Sequence, residues 1–370
     1  MPTILFYSPF NNRSRDTESL MIAFSKQGHQ VLSLTQQEGY YINGFLNDHG
    51  VTAYSNVLKG ARYGWWYYFR HLLFFIRFCW RHKIDIVYSH LEPANFVASI
   101  GQYLIKAKTY LCRHHIDEGR LYHFDKDLSY RITYQLAKHI IVVSDHSKRY
   151  MIDHEKIPST KILHINLAYD FGLYEKQRKS SVQEIRDQYK AEVLLLSACR
   201  MTAFKRPEKV IEVAKRLLDR GLDVKLIMLG NGEMKNELEI LIKNLHLNDR
   251  IFMPGYVTNV LDYMAAANFF LHPSLLDSSC VAIKEAGLVK LPVIVCKGIG
   301  DFDDYLIDGK NGFAVNPDAF IDEASKVVEI NFQNIELLRC IGESLNKSIL
   351  DLFSIEHVLV KYDSLNDLPS

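Results

Sequence analysis

Several absences bound this 370-residue chain before any motif is weighed. It has no C-x-x-C pair: its cysteines stand apart at 79, 112, 199, 280, 296 and 340. That disfavours a zinc ribbon or a disulfide frame and fits buried thiols in a reducing, cytoplasmic compartment. It has no run of about 18 uninterrupted apolar residues, so no helix is expected to span a membrane. The opening MPTILFYSPF lacks a basic n-region and a cleavage site, so it reads as a first strand rather than a signal peptide. Walker loops, G-x-S-x-G elbows and H-E-x-x-H motifs are missing too, which weakens ATPase, hydrolase and zincin readings. No segment is of low complexity, and no internal repeat is visible.

What is present is ordinary in bulk and uneven in detail. A hydrophobic fraction of 48% with 24% charged residues is that of a soluble globular protein, and the length predicts two domains. The net charge of +1 is divided: residues 1–170 carry 20 Lys+Arg against 14 Asp+Glu, and 12 of the 15 histidines. A basic first half points to an anionic partner there, a phosphorylated acceptor or a membrane surface; nothing calls for nucleic acid.

Short apolar runs alternate with helical patterns from end to end. Strands are predicted at 3–8, 30–34, 84–89, 109–112, 140–144 and 162–165, then, after a polar Lys-rich interval at 174–190, at 193–199, 224–229, 250–254, 269–272 and 292–296. Helices are predicted between them, among others at 18–26, 93–106, 124–137, 208–220, 233–245 and 281–289. This alternation predicts two doubly wound parallel sheets covered on both faces, with ligands beyond the carboxyl ends of the strands.

The loops after strands are therefore where chemistry is expected. The segment 271–295, LHPSLLDSSCVAIKEAGLVKLPVIV, places Asp277 on a loop and Glu285 on the helix that follows, with Ser278, Ser279, Cys280 and Val281 at the junction. Free N–H groups in a first helical turn attract phosphate and hydroxyl oxygens, and carboxylates hold sugar or ribose hydroxyls; solvated acids on an ordinary loop fit this segment as well. Arg200 and Lys205 follow the 193–199 strand, ahead of the helix that Pro207 would start, and two cations there suit a pyrophosphate. Gly230 and Gly232 form a G-x-G without its third glycine, so the dinucleotide fingerprint fails and a tight turn explains it equally well. Asp301, Asp303 and Asp304 imitate a metal-binding D-x-D, but acids opening a short helix are the better reading. His114 and His115 follow the 109–112 strand, facing either a cleft or solvent, with Asp117 and Glu118 next to them.

Residues 59–83 hold six Lys/Arg, ten aromatics and no acid. On a helix, Trp66, Phe69, Leu73, Ile76 and Trp80 share one face, as a core stripe would. Arg70, Phe74, Arg77 and Arg81 share another, which is either a solvated basic edge or a contact for an anionic membrane surface.

Together these motifs resemble the retaining glycosyltransferases of family four. The match rests on R-x4-K at Arg200 and Lys205, the G-x-G, the block from Pro273 to Ala286, LPVIV at 291–295 and DGKNGFAV at 308–315, with looser likeness at KQGHQVLSL (26–34) and KIDIVYSH (83–90). The resemblance implies the GT-B fold: an α/β protein of two Rossmann-like, doubly wound domains facing across a cleft. An N-terminal acceptor domain would span 1–170, a donor domain 171–351, and a final helix at about 352–370 would pack back on the first. It further implies a nucleotide-sugar donor and a glycan or lipid-linked acceptor, as in surface polysaccharide synthesis, with no cofactor and no metal. Arg200 and Lys205 would neutralise the diphosphate and Glu285 would bind ribose. Asp277 and the N–H groups of Ser278 to Val281 would meet sugar and phosphate, beside Gly230, and His114 or His115 would receive the acceptor. Asp277 replaces the usual glutamate, and Ser278-Ser279-Cys280 replace Gly-Phe-Gly. These departures keep a catalytically silent nucleotide-binding protein open as an alternative, beside a sugar-nucleotide epimerase.

Overall fold

The structure is a computed structural model, and it describes residues 1–9, 14–37, 40–56, 64–114, 128–173 and 177–366. The chain divides into two compact units, Met1–Leu173 with Phe353–Ser370, and Tyr174–Leu352.

In the first unit, seven strands run β1 (Thr3–Ser8), β2 (Gln30–Thr35), β3 (Thr52–Ser55), β4 (Ile86–His90), β5 (Lys108–Arg113), β6 (His139–Val142) and β7 (Ile162–His164), in the spatial order β3-β2-β1-β4-β5-β6-β7. Each pairing is parallel. The central strands are buried because helices cover both faces, and β1 is an apolar run in which Ile4, Leu5, Phe6 and Tyr7 are all inside. The chain returns to this unit at its end. Tyr169 N–H donates to Phe353 O (2.8 Å) and Ile355 N–H to Tyr169 O (2.9 Å). The Ile355–Asn366 helix then packs Tyr362 edge-on against Phe24 and Tyr88.

The second unit repeats the plan with β8 (Val193–Ala198), β9 (Val224–Leu229), β10 (Ile251–Gly255), β11 (Phe269–His272), β12 (Val293–Cys296) and β13 (Phe313–Val315), ordered β10-β9-β8-β11-β12-β13 and again parallel. Its core is mainly aliphatic, with Phe269, Phe313 and Phe320 among the exceptions: Val210, Ile211, Ala214 and Leu217 of the Pro207–Asp219 helix share a cluster with Val193, Leu195 and Leu226. The polar interval at 174–190, read as a break between domains, contains a helix, Lys179–Gln188, that buries Ile185.

One reading of a helix face is overturned. In the Trp65–His82 helix the buried residues are Tyr67, His71, Phe75, Ile76, Phe78 and Cys79. Of the predicted core stripe only Ile76 is inside; Trp66, Phe69, Leu73 and Trp80 are 67%, 49%, 53% and 64% exposed. Aromatics surround most of this helix, so periodicity could not choose a face, and the face that packs carries the smaller and more polar Cys79 and His71. The cysteines also differ from expectation at two positions: Cys340 is exposed and Cys199 is half-buried.

Candidate active site

β8 and β11 are neighbours where the strand order of the second sheet reverses, and such a reversal opens a crevice beyond the carboxyl ends. The loop leaving β8 is set by backbone contacts with the loop leaving β9. Cys199 N–H donates to Leu229 O (3.2 Å) and Met201 N–H to Asn231 O (3.0 Å). A Cβ at Gly230 would lie 2.2 Å from the Cys199 carbonyl oxygen, and one at Gly232 would lie 2.2 Å from that of Met201. The G-x-G pair thus permits two loop backbones to touch, and that contact fixes where Arg200 leaves the sheet. Arg200 is exposed and enters no ion pair among the described residues.

Lys205 ends the short 3-10 turn Ala203–Lys205. Its Nζ donates to Asp277 Oδ2 (2.5 Å), and the same oxygen lies 2.7 Å from His272 Nε2. Burial would raise the Asp277 pKa, but Lys205 and His272 hold the carboxyl well below the usual carboxylate range. Burial would lower that of His272, but Cys280 and Asp277 beside the ring push it up to about 9. Lys205 is likewise raised, against its burial, by Asp277. At neutral pH one carboxylate therefore bridges two cations, Lys205 and His272.

His272, Asp277 and Cys280 bring one potential ligand atom each within 4.8 Å of one another. A soft divalent ion would accept such donors, but the Lys205 ammonium already occupies the cation position on that carboxylate oxygen. The residues present suit an ammonium better than a metal.

Cys280 stands at the N-cap position of the Val281–Leu288 helix without a side-chain cap bond, so the first-turn N–H groups are not satisfied by it. Ser278, Cys280 and Glu285 are buried, and Val281 is exposed at the helix start. Ser279 is committed elsewhere. Its Oγ donates to Asp301 Oδ2 (2.6 Å) and accepts from Lys284 Nζ (2.9 Å), while Lys284 Nζ also reaches Asp301 Oδ2 (2.5 Å). Lys284 and Asp301 are fully buried. Asp301 was expected to cap a short helix; it holds the N-cap position of Phe302–Tyr305 but makes no capping bond. The loop after β12 instead turns it onto Lys284, and burial raises its pKa against the pull of that lysine.

Sequence reasoning missed His272, Lys284 and Arg206. Arg206, in the left-handed region at φ 49°, donates to Pro273 O (2.8 Å), Pro317 O (2.9 Å) and Cys296 Sγ (3.2 Å), tying the last residue of β12 to the segments beyond β11 and β13. His272 was findable as a polar residue ending an apolar strand; nothing in the sequence marks a left-handed arginine or a buried lysine.

In the first unit β4 ends at His90, and His114 follows β5. His90 Nδ1 lies 2.7 Å from His114 Nε2, and His114 Nδ1 lies 3.9 Å from Asp16 Oδ2. Burial and the neighbouring imidazole lower the His90 pKa well below its ordinary value; burial lowers that of His114, partly offset by Asp16. His90 stacks on Phe6 at 5.7 Å. His115, Asp117 and Glu118 lie outside the described residues.

Two parallel sheets with this strand order, one of them bearing a cationic crevice at its reversal, have the fold of the GT-B glycosyltransferases. HepE of Anabaena, solved with UDP and glucose, superposes on all of this chain and all of its own with a TM-score of 0.83 at 18% identity. The Glycosyltransferase Family 4 profile matches residues 15–171 and the Glycosyl transferases group 1 profile matches residues 179–343. The chain belongs to the family-four glycosyltransferases. An uncharacterised glycosyltransferase of Methanocaldococcus jannaschii is 28% identical over 204 residues, 51% of this chain and 50% of the relative; the chain thus matches about half the length of that relative. An Escherichia coli UDP-Gal:alpha-D-GlcNAc-diphosphoundecaprenol alpha-1,3-galactosyltransferase is 23% identical over 286 residues, 72% of each chain.

Proposed function

We propose that the protein is a retaining glycosyltransferase that moves a sugar from a nucleotide-sugar donor to a glycan or lipid-linked acceptor in surface polysaccharide synthesis. The observation that carries this is the arrangement at the β8–β11 reversal: Arg200 exposed and unpaired, and Lys205 and His272 sharing a single carboxylate. As the bond between the anomeric carbon and the diphosphate oxygen breaks, negative charge grows on the leaving nucleoside diphosphate. Arg200, Lys205 and the first-turn N–H groups after Cys280 stabilise that charge. The acceptor oxygen forms the new bond on the same face of the sugar, and its proton passes to a leaving phosphate oxygen. Glu285 holds the ribose hydroxyls, Gly230 lets the donor approach the backbone, and Asp277 orients the sugar together with Ser278 and Val281. His114 receives the acceptor.

Because side chains compensate the charge, no metal is required. A reducing, cytoplasmic compartment suits six unpaired thiols. The acceptor class follows the name of the Escherichia coli relative, which acts on a diphosphoundecaprenol-linked sugar. It also agrees with a basic first half that would meet an anionic membrane surface. The test is release of nucleoside diphosphate from a panel of nucleotide sugars, with and without a lipid-linked acceptor, in the presence of EDTA. Acceptor-dependent release that survives EDTA is expected. Loss of activity in EDTA, restored by Mg²⁺ or Mn²⁺, overturns the metal-independent mechanism; no release with any donor overturns the transferase reading.

A further inference from the structure

Among the described residues no helix is long and apolar enough to cross a membrane, yet one helix is built to lie on one. The Trp65–His82 helix has 18 residues and no acid, and is about 27 Å long. Its inner face is held by Phe75, Phe78 and Cys79 in the core of the first unit. Its outer face combines both predicted stripes: Trp65, Trp66, Phe69, Leu73 and Trp80 are exposed, and Arg70, Arg77 and Arg81 are interleaved with them and also exposed. Soluble proteins rarely leave so large an apolar patch bare. Aromatic rings interleaved with arginines and no acid match the acyl–headgroup boundary of an anionic bilayer, where rings insert and guanidinium groups pair with phosphate. A hydrated protein surface offers neither layer.

We propose that this helix is an in-plane anchor for an anionic membrane and that it holds the carboxyl ends of the first sheet close to the bilayer. Its first turns sit at that edge. Tyr67 Oη donates to Gln36 Oε1 (3.3 Å), and Gln36 Nε2 donates to Tyr7 Oη (2.6 Å). Asn56 Nδ2 lies 3.4 Å from His71 Nδ1. Gln36 and Asn56 directly follow β2 and β3, and Tyr7 is the next-to-last residue of β1. These bonds tie the anchored helix to the strand ends of the sheet that carries His90 and His114. The acceptor is accordingly a lipid-linked one that reaches the site from the membrane plane. This deepens, and rests on, the glycosyltransferase reading.

All three tryptophans of the chain, Trp65, Trp66 and Trp80, lie on this face, so selectively excited tryptophan emission reports on it alone. The full-length protein would be titrated at low salt with vesicles of phosphatidylglycerol and phosphatidylcholine in equal parts, and with phosphatidylcholine alone, following sedimentation and tryptophan emission. Sedimentation with the anionic vesicles and a blue shift are expected. Replacing Arg70, Arg77 and Arg81 by Gln should weaken binding about 100-fold, at roughly fivefold per charge, and W66S/F69S/L73S should abolish it. Both variants should keep the thermal shift that UDP gives the wild type, which shows that they are folded. Failure of the wild type to sediment or shift with either vesicle overturns the anchor. So does a blue shift that follows protein concentration instead of lipid, which would assign the face to a second copy of the chain. Failure of the wild type to bind any of UDP, GDP, ADP and dTDP would instead sink the transferase reading and leave the vesicle result standing.

Discussion

His90 and His272 occupy the same place in two copies of one topology. Each is the last residue of the strand beside the reversal, β4 in the first sheet and β11 in the second. Each is buried. One is kept neutral by burial and a second imidazole, and the other is held charged to about pH 9 by a thiol and a carboxylate. The fold therefore fixes where a functional group stands, while the first polar neighbours decide its charge. A crevice edged by Lys205, Arg200 and a charged His272 suits an anion. A pair of neutral imidazoles, His90 and His114, suits a hydroxyl, with a lone pair to accept and an N–H to donate.

If charge holds the second crevice together, removing a buried cation should cost most. Lys284→Met leaves Asp301 without its cation, only Ser279 still donating to it, and should destabilise the protein by about 3–5 kcal/mol in urea unfolding, with K284M/D301L recovering most of it. A single variant as stable as wild type would show that the pair contributes nothing. Next, Lys205→Ala should lower kcat by roughly 10²–10³ while donor KM changes less, because the charge that Lys205 meets grows in the transition state; an unchanged kcat would break the contrast between the two crevices. Arg200→Ala should act in the same direction. Glu285→Ala should weaken nucleoside diphosphate binding in calorimetry by about 1.5–3 kcal/mol, and Glu285→Gln by less; equal affinity for all three proteins would remove the ribose assignment.

The smallest effect is the most direct on the comparison. The His272 pKa is raised above its ordinary 6.5 to about 9, so the contribution of its charge is complete below 6.5 and is lost as pH rises through about 9. Diphosphate affinity should weaken over that window, and His272→Gln should flatten it. In an NMR titration the His90 ring should show no step near 6.5, because it is already neutral there; a normal midpoint for both histidines would erase the difference.

Most of this fold was legible. Strands such as 3–8, 224–229 and 269–272 were fixed by apolar runs between polar loops, which a buried parallel strand cannot avoid. Thr52–Ser55 was missed because a half-exposed edge strand has no such run, and Phe313–Val315 because three residues carry no period. Arg200, Lys205 and Asp277 were legible as charged residues after strands, but not the bonds between them. That Lys205 lies on Asp277 depends on a 3-10 turn, and that Asp301 lies on Lys284 depends on how a loop folds over a helix. The face of the aromatic helix was illegible because aromatic residues surround most of it, so hydrophobicity does not say which side packs inward.

The hydrogen-bonded crossing of Tyr169 with Phe353 and Ile355 bears on how such a chain can change over generations. The whole second unit leaves and re-enters the first within a few residues of that crossing. It is in effect a cassette inserted at one doorway, and insertions with adjacent ends are the kind a host domain tolerates. A lineage could trade the second unit for another of the same sheet order at this seam, while the first, with its aromatic helix and paired histidines, stays as it was.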